Sequence, residues 1–307
     1  DNAEYIYRDL FKFPPKMFLN TDLIDFGAGT GENTIYLANW GAKCTLVEMN
    51  KLAQNISKKV FKKHAKSKKH KFINSSIFNY HKSSKLYDIV HCRGVLSHTA
   101  ANKKAFKKIS SFVKPGGYLI FGDPNKSGGF QNMLQRYAVY AFSKTEQDMI
   151  DASEYLFKED IDRSYKAIPR TRKEIIYDRW VIQSQDDPSV TEVFSWMKEC
   201  NLNFYSSYPT IPDLFFGNSI HHKNRNDILE FKNLFSLSEL IWMMQTDEDR
   251  NVVNKVDKNL KSFSTSLNEI SSYVANCNTR TKIDMKNFKN KALNLRSEIN
   301  KLNNFSL

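Results

Sequence analysis

Apolar and polar residues follow two different periodic patterns along residues 22–122. Short apolar runs predict buried strands at 22–27, 43–49, 71–74, 87–92 and 118–122. Between these runs, helical periodicity predicts helices at 34–40, 51–65 and 101–113. Strands that alternate with helices form βαβ units, and right-handed crossovers place their helices on both faces of a mostly parallel sheet. The pattern therefore predicts a doubly wound α/β fold.

The alternation stops after Pro124. Residues 128–188 are rich in aromatic side chains and mostly helical in pattern, which predicts a helical cap inserted over the strand ends. A helix at 190–200 and a strand at 203–208 then resume the alternation. The expected domains are an N-terminal lid segment at 1–20, a core that carries the cap at 21–217, and a C-terminal helical extension at 218–307.

The C-terminal extension has apolar residues at alternating spacings of three and four. One stripe covers residues 253–277 and a second covers 285–302, with a polar break between them. This spacing predicts two amphipathic helices joined by a short turn, a C-terminal helical hairpin. Two interpretations stay open: the stripes pack on the chain's own body, or residues 253–302 form the seam of a homo-oligomer.

Positive charge is concentrated in two segments of the chain. The formal net charge is +13, from 46 Lys and Arg residues against 33 Asp and Glu residues. Residues 51–71 contain nine lysines and residues 103–114 contain five, and neither segment contains an acid. The two segments are interpreted either as solvated helix faces or as a surface that binds nucleic acid.

Composition disfavours several classes of protein. No apolar run approaches the roughly 18 residues that a membrane helix needs, and the N-terminal residues lack the pattern of a signal peptide. The four cysteines are far apart and form no CxxC pair, which disfavours a metal site and a disulfide scaffold. We therefore expect a protein of the reducing cytoplasm, with no metal ion and no membrane contact.

A glycine-rich turn, Asp25-Phe26-Gly27-Ala28-Gly29-Thr30-Gly31, follows the first predicted strand. Glycines allow the backbone to turn sharply and to approach a ligand closely, and the N-terminus of the next helix offers unpaired N–H groups. Glu48 ends the second predicted strand, 21 residues after Gly27. An acid at that place can accept both hydroxyls of a ribose. The turn and the acid together predict an adenosine-containing ligand.

Five stretches resemble the class I S-adenosylmethionine-dependent methyltransferases, and among them the group that includes the ubiquinone and menaquinone biosynthesis methyltransferases. The stretches are DFGAGTG (25–31), LVEMN (46–50), FINSSIF (72–78), YDIVHCRGVLSHT (87–99) and FVKPGGYLIFGDP (112–124). The resemblance implies a Rossmann-like fold, S-adenosyl-L-methionine as the cofactor, and transfer of its methyl group to an acceptor.

The resemblance also implies which residues bind the cofactor. They are, in chain order, Asp25, Gly27, Ala28, Gly29, Glu48, Met49, Ser76, Ile77, Arg93 and His98. In the family, the residue corresponding to Glu48 binds the ribose and that corresponding to Met49 lies against the adenine. Ser76 replaces the acid that the family has near the adenine amine. Arg93 is placed at the methionine end and His98 near the mouth of the site.

Methyl transfer is an in-line displacement, so alignment of the reactants supplies much of the acceleration. A general base is needed only where the acceptor must lose a proton. His98, Tyr177 and Asp178 are the candidate catalytic residues, with orientation of its own loop as the alternative role of His98. Aromatic residues near the N-terminus and in the cap either close over the sulfonium or belong to the core. They are Tyr5, Tyr7, Phe11, Phe13, Tyr137, Tyr140, Phe142 and Tyr155.

The preferred function is methylation of a small molecule bound under the cap. One alternative is methylation of RNA held by the Lys51–Lys71 face. The other is a non-catalytic, cofactor-binding scaffold whose helical tail recruits a partner.

Overall fold

A computed structural model describes residues 2–81, 85–167, 170–181, 184–208, 235–237, 239, 250–277 and 284–303 of the chain. The chain divides into two compact units. The sheet unit contains Asp1–Asp123 and Glu192–Leu229, and the helical unit contains Pro124–Thr191 and Glu230–Leu307.

Five parallel strands form one sheet in the order β3-β2-β1-β4-β5. The strands are β1 Asp22–Phe26, β2 Lys43–Glu48, β3 Lys71–Asn74, β4 Tyr87–Arg93 and β5 Val113–Gly122. The helices are α1 Thr34–Asn39, α2 Lys51–His64, α3 Asn102–Ser110, α4 Phe130–Phe142, α5 Glu146–Leu156, α6 Lys158–Ala167, α7 Arg172–Ile176, α8 Val190–Glu199, α9 Arg250–Ala275 and α10 Met285–Asn303. Shorter helical segments cover Asn2–Glu4, Tyr5–Leu10, Pro15–Phe18, Leu96–His98 and Tyr177–Val181.

Each face of the sheet has its own apolar core. Successive residues of a strand point to opposite faces, so Leu23 and Ile24 of β1 enter different clusters. Leu23 packs in one cluster with Phe61 of α2. Ile24 packs in the other with Phe106 of α3 and Trp196 of α8. Helices therefore cover both faces, and the prediction of a doubly wound, Rossmann-like α/β fold is confirmed.

The N-terminal residues are part of the core of the sheet unit. Tyr7 and Phe13 are 2% and 3% exposed. The Tyr7 ring meets the rings of Phe18 and Trp40 edge-on at centroid distances of 5.5 and 5.6 Å. The core interpretation therefore holds for these two aromatic residues, whereas Tyr5 is half-exposed.

Two strands differ from their predicted form. β5 begins at Val113, five residues before the predicted start, and its ladder with β4 shifts register between Tyr87 and Ile89. The prediction of a strand at 203–208 was wrong. The Tyr205 hydroxyl donates to the carbonyl of Lys12 at 2.9 Å instead, so side-chain bonds hold this segment against the N-terminal residues.

The predicted C-terminal stripes lie on α9 and α10, and several of their apolar residues are buried within the helical unit, whereas Met285 is 53% exposed. Phe263 of α9 and Leu295 of α10 are 1% and 3% exposed. Tyr137 of α4 stacks on Phe288 of α10 at a centroid distance of 4.0 Å. This packing explains why residues 124–191 group with the C-terminal helices. The expected domain bounds, with the cap at 128–188 inserted into a core at 21–217, stay a prediction. A homo-oligomer through 253–302 stays a prediction.

Candidate active site

The glycine-rich loop connects the end of β1 to the start of α1. The backbone N–H groups of Gly27 and Ala28 donate to the carbonyl of Val47 at 2.8 and 3.3 Å, which joins the loop to β2. Gly27 and Gly31 have φ angles of +70° and +78°. A Cβ at Gly27 would lie 2.4 Å from a Val95 methyl group. Backbone conformation and close packing therefore both require glycine at this position.

Gly29 is the loop glycine whose missing side chain would point into open space. Its φ is +54°, and a Cβ there would have no neighbour within 4 Å. Its N–H donates to Glu48 Oε2 at 2.9 Å, and the N–H of Asn50 donates to Glu48 Oε1 at 2.7 Å. Glu48 is 9% exposed. The carboxylate thus faces the loop, and open space adjoins the Gly29 backbone.

Asp25 lies at the base of the loop and connects its two ends through a hydrogen bond with Thr34. It is the residue before the last of β1 and lies beside His91 of β4, and its Oδ1 lies 2.8 Å from His91 Nδ1. Its Oδ2 accepts the hydroxyl of Thr34, the first residue of α1. Asp25 is 3% exposed. Because protein groups already engage both of its oxygens, Asp25 acts on the loop's two ends, and its predicted contact with the cofactor stays a prediction.

A family model described as a methyltransferase domain matches residues 2–155, which is half of the chain. The chain belongs to this methyltransferase family. The prediction of a class I S-adenosylmethionine-dependent methyltransferase is thereby confirmed, while the ubiquinone-like subgroup stays a prediction. A search of curated proteins found no match.

Solved structures with low identity are similar to parts of the methyltransferase. A putative S-adenosylmethionine-dependent methyltransferase from Listeria monocytogenes is 22% identical over 41% of this chain and 55% of its own, with a TM-score of 0.35. PKMT2 from Rickettsia typhi in complex with AdoHcy is 16% identical over 66% and 42%, with a TM-score of 0.47. Magnesium protoporphyrin IX methyltransferase from Synechocystis PCC 6803 with bound SAM is 19% identical over 37% and 53%, with a TM-score of 0.32. The chain spans about half the length of these structures.

The residues around the loop fit S-adenosylmethionine, the family's cofactor. A carboxylate has about four lone-pair directions, and each Glu48 oxygen accepts one backbone N–H, so each can also accept a ribose hydroxyl. Met49, predicted to lie against the adenine, is 72% exposed beside Glu48. A side chain at Gly29 would fill the open space that a cofactor needs. The open space beside the Gly29 backbone and the adjacent Glu48 carboxylate therefore suit the nucleoside part of S-adenosylmethionine.

The segment after β3 supports the site from the side. The Asn74 amide donates to the carbonyls of Glu48 and Met49 at 2.9 and 3.0 Å, and so fixes the backbone of the acid and of the residue that follows it. Ser76 Oγ accepts the N–H of Asn79 at 3.1 Å, which is a turn contact. Ile77 is 7% exposed in an apolar cluster. Sequence reasoning missed Asn74, although its place at the end of a strand next to β2 is a signal for such a role.

Arg93 is the last residue of β4, and His98 lies beyond the carboxyl end of this strand. The Arg93 guanidinium lies over the Phe11 ring at 5.2 Å, a cation–π contact. His98 ends the short helical segment Leu96–His98 and is partly buried. Asp123, which sequence reasoning also missed, accepts the N–H groups of Val95 and Leu96 at 2.9 and 3.2 Å. Asp123 therefore holds the loop that carries His98.

Tyr177 and Asp178, the other candidate catalytic residues, belong to the helical unit. The Tyr177 hydroxyl donates to the Glu146 carboxylate. Asp178 pairs with Arg170 at 2.9 Å, and the side chains of both are more than half exposed. Their catalytic roles stay predictions. Among the described residues, no group of three His, Cys, Asp or Glu side chains could hold a metal ion, and no described helix is long and apolar enough to cross a membrane.

Replacing Gly29 or Gly31 with alanine distinguishes a glycine that ligand binding requires from a glycine that packing requires. Both positive φ angles cost an alanine roughly 1–2 kcal/mol. At Gly31 a Cβ would also lie 2.8 Å from Ser57 Oγ, whereas at Gly29 it would meet nothing within 4 Å. We expect Gly31→Ala to lower the free energy of unfolding more than Gly29→Ala in urea titrations. Gly29→Ala should instead weaken S-adenosylmethionine binding in calorimetry, and the reverse ranking of stabilities would contradict the assignment.

We predict that the free energy of unfolding depends on pH through the Asp123 carboxyl group. Burial raises the pKa of Asp123 to about 7, against smaller opposing effects of the hydrogen bonds it accepts. Because this pKa exceeds the unfolded value of 3.8, its contribution to stability is full below about pH 4 and is lost as pH rises through about 7. We expect Asp123→Asn to be less stable at low pH but to show a flatter decline across this window.

Urea unfolding at about pH 4.5, 6 and 7.5 measures that slope. Asp151→Asn, at an exposed acid of the helical unit, is the control and should keep the wild-type slope. A decline of equal steepness in Asp123→Asn and wild type would disprove the role of Asp123.

Proposed function

We propose that the methyltransferase transfers the methyl group of S-adenosylmethionine to a small-molecule acceptor. The observation that carries the proposal is the Glu48 carboxylate, which accepts the Gly29 N–H beside open space at the end of β1 and β2. The small size of the acceptor is supported by the helical segment 128–188, which follows the last strand where an RNA-binding module would otherwise be expected.

The chain's own residues bind and orient the cofactor in this proposal. Bound S-adenosylmethionine supplies a methyl group activated by a sulfonium. Glu48 accepts the ribose hydroxyls, and Gly27 and Gly29 let the ligand approach the backbone. Arg93 provides a cation for the methionine carboxylate. Orientation of the reactants can supply up to roughly 7–11 kcal/mol of the acceleration.

Residues for the acceptor are proposed from chemistry alone. His98 is the proposed general base where the acceptor must lose a proton, because an imidazole titrates near neutral pH. Tyr177 and Asp178 are proposed as polar contacts of the acceptor. The proposed compartment is a reducing cytoplasm, which rests on four widely spaced cysteines.

Methylation of RNA is the second candidate function, and one observation favours it. All nine lysines of residues 51–71 are exposed, and none pairs with a carboxylate of the described residues. The second lysine segment differs, because Lys103 and Lys107 pair with Glu199 at 2.7 and 2.5 Å. The unpaired face on α2 therefore keeps its full charge for a polyanion.

Exchange of Glu48 for glutamine tests the primary proposal. Glutamine has one side-chain oxygen for the two backbone N–H groups that Glu48 accepts, and it loses the charge that strengthens hydrogen bonds to ribose. Hydrogen bonds to a charged group are worth about 1.5–3 kcal/mol, so we expect Kd for S-adenosylmethionine to rise roughly ten- to hundredfold. Calorimetry measures Kd, and transfer of a labelled methyl group to a metabolite extract measures activity.

Glu32→Gln, at an exposed acid of the same loop, is the matched control and should bind like wild type. Wild-type affinity in Glu48→Gln would refute the site. Binding without any methyl transfer to small molecules would refute the proposed acceptor class.

Charge reversal on α2 tests the RNA alternative. Replacing Lys58, Lys59, Lys62 and Lys63 with Glu should abolish salt-dependent RNA binding if this face holds RNA. Reversal of Lys103 and Lys107 is the control, since Glu199 already pairs with both. Filter binding at several salt concentrations measures the effect, and equal, weak binding by all forms removes RNA as a substrate.

A further inference from the structure

A buried chain of hydrogen bonds runs from the N-terminal segment to the glycine-rich loop. The Tyr7 hydroxyl lies 2.8 Å from His91 Nε2, and His91 Nδ1 lies 2.8 Å from Asp25 Oδ1. The Thr34 hydroxyl donates to Asp25 Oδ2. All four side chains are at most 3% exposed. This chain of hydrogen bonds therefore joins four elements inside the core of the sheet unit.

The direction of these bonds follows from the chemistry of Tyr7. Burial raises the pKa of Tyr7 to about 12, with a smaller opposing effect of the Arg93 guanidinium, so the phenol keeps its proton. A protonated phenol can donate to His91 Nε2, and the ring can then donate from Nδ1 to Asp25 Oδ1. In this arrangement every donor of the hydrogen-bond chain points towards the Asp25 carboxylate, and none of these donors is a Lys or Arg side chain.

Asp25 is the member of the chain that reaches the loop. It lies two residues before Gly27, and Thr34 lies three residues after Gly31. The Asp25–Thr34 bond thus connects the strand that enters the loop with the helix that leaves it. His91 is the register partner of Asp25 on the neighbouring strand, so its ring orients the carboxylate directly.

The hydroxyl of Tyr7 is not needed for packing. The ring meets Phe11, Phe18 and Trp40 edge-on at centroid distances of 5.5 to 5.6 Å, and a phenylalanine ring would make the same contacts. Burial of a hydroxyl is unfavourable unless it is hydrogen-bonded. The bond to His91 is therefore the feature that distinguishes Tyr7 from a simple core residue.

We propose that Tyr7 and His91 are positioning residues of the cofactor site. Through Asp25 they hold both ends of the glycine-rich loop in the conformation that presents the Gly29 N–H and the Glu48 carboxylate to the ligand. The N-terminal segment is thereby part of the cofactor-binding machinery, because Tyr7 acts on the loop through His91 and Asp25. The inference rests on the proposed function for its effect on affinity, but its effect on the loop is measured without cofactor.

Tyr7→Phe tests the proposal, with Tyr5→Phe as the matched control on the same helical segment, where Tyr5 is 51% exposed. The first readout is hydrogen exchange of the Gly29 amide in the ligand-free protein, measured by NMR beside the Val90 amide of β4. We expect Gly29 exchange to accelerate at least about fivefold more than Val90 exchange in Tyr7→Phe and to stay unchanged in Tyr5→Phe. A purely structural role would accelerate both amides together.

The second readout is the affinity for S-adenosylmethionine by calorimetry. We expect Kd to rise about three- to tenfold in Tyr7→Phe, with Tyr5→Phe like wild type. Unchanged Gly29 exchange relative to Val90 overturns the inference, whatever the affinity. Failure of wild type to bind the cofactor contradicts the proposed function instead, and the exchange result still decides the positioning role.

Thr34→Val removes the donor at the opposite end of the chain and nearly conserves volume. It should reproduce the faster Gly29 exchange. It also keeps the proposal testable if Tyr7→Phe folds poorly. In the double variant the two effects should be less than additive, because residues of one hydrogen-bond network are coupled. Independent, additive effects would contradict a continuous chain.

Discussion

The Glu48 carboxylate joins two neighbouring strand ends, and the site depends on this contact. Its oxygens accept the N–H groups of Gly29 and Asn50, so one side chain fixes both the loop after β1 and the start of α2. The order β3-β2-β1-β4-β5 reverses direction between β1 and β4. Ligands of open α/β sheets bind outside the carboxyl ends of the strands at such a reversal. Glu48 and Asp25 therefore shape the edge where this topology leaves a crevice.

The charges at this edge are suited to a cationic ligand. Asp25 and Glu48 are both nearly buried, and neither pairs with a Lys or Arg of the described residues. Backbone N–H groups, the Thr34 hydroxyl and the His91 ring contact their oxygens instead. A sulfonium is attracted to carboxylates, and Arg93 at the end of β4 offers the opposite charge for an amino-acid carboxylate. The electrostatics therefore agree with a ligand that carries both signs.

The spacing of apolar and polar residues predicted most of the sheet unit, because strands and helices depend on residues that are close together in the sequence. Strand and helix periodicities predicted all five described strands. The spacing from Gly27 to Glu48 predicted a ligand-binding acid near the turn, but it did not predict the hydrogen bond from the Gly29 N–H to Glu48. The bonds of Tyr7 to His91 and of Asp123 to Val95 join residues 84 and 28 positions apart, so no local period reveals them. The predicted strand at 203–208 failed for the related reason that its side chains bond a distant backbone. Residues 124–191 group with the C-terminal helices because apolar faces of these helices pack together. The spacing of apolar residues along the sequence does not show which faces will pack on each other.

Topology also limits what the basic composition can mean. α2 follows β2 and packs by Phe61 on one face of the sheet, whereas α3 follows β4 and packs by Phe106 on the other. The two lysine-rich segments are thus on opposite faces and cannot form one continuous surface. The segment around α3 is partly neutralised, because two carboxylates pair with three of its five lysines: Glu199 with Lys103 and Lys107, and Asp88 with Lys114 at 2.8 Å. The net charge of +13 is therefore not a measure of any single basic surface.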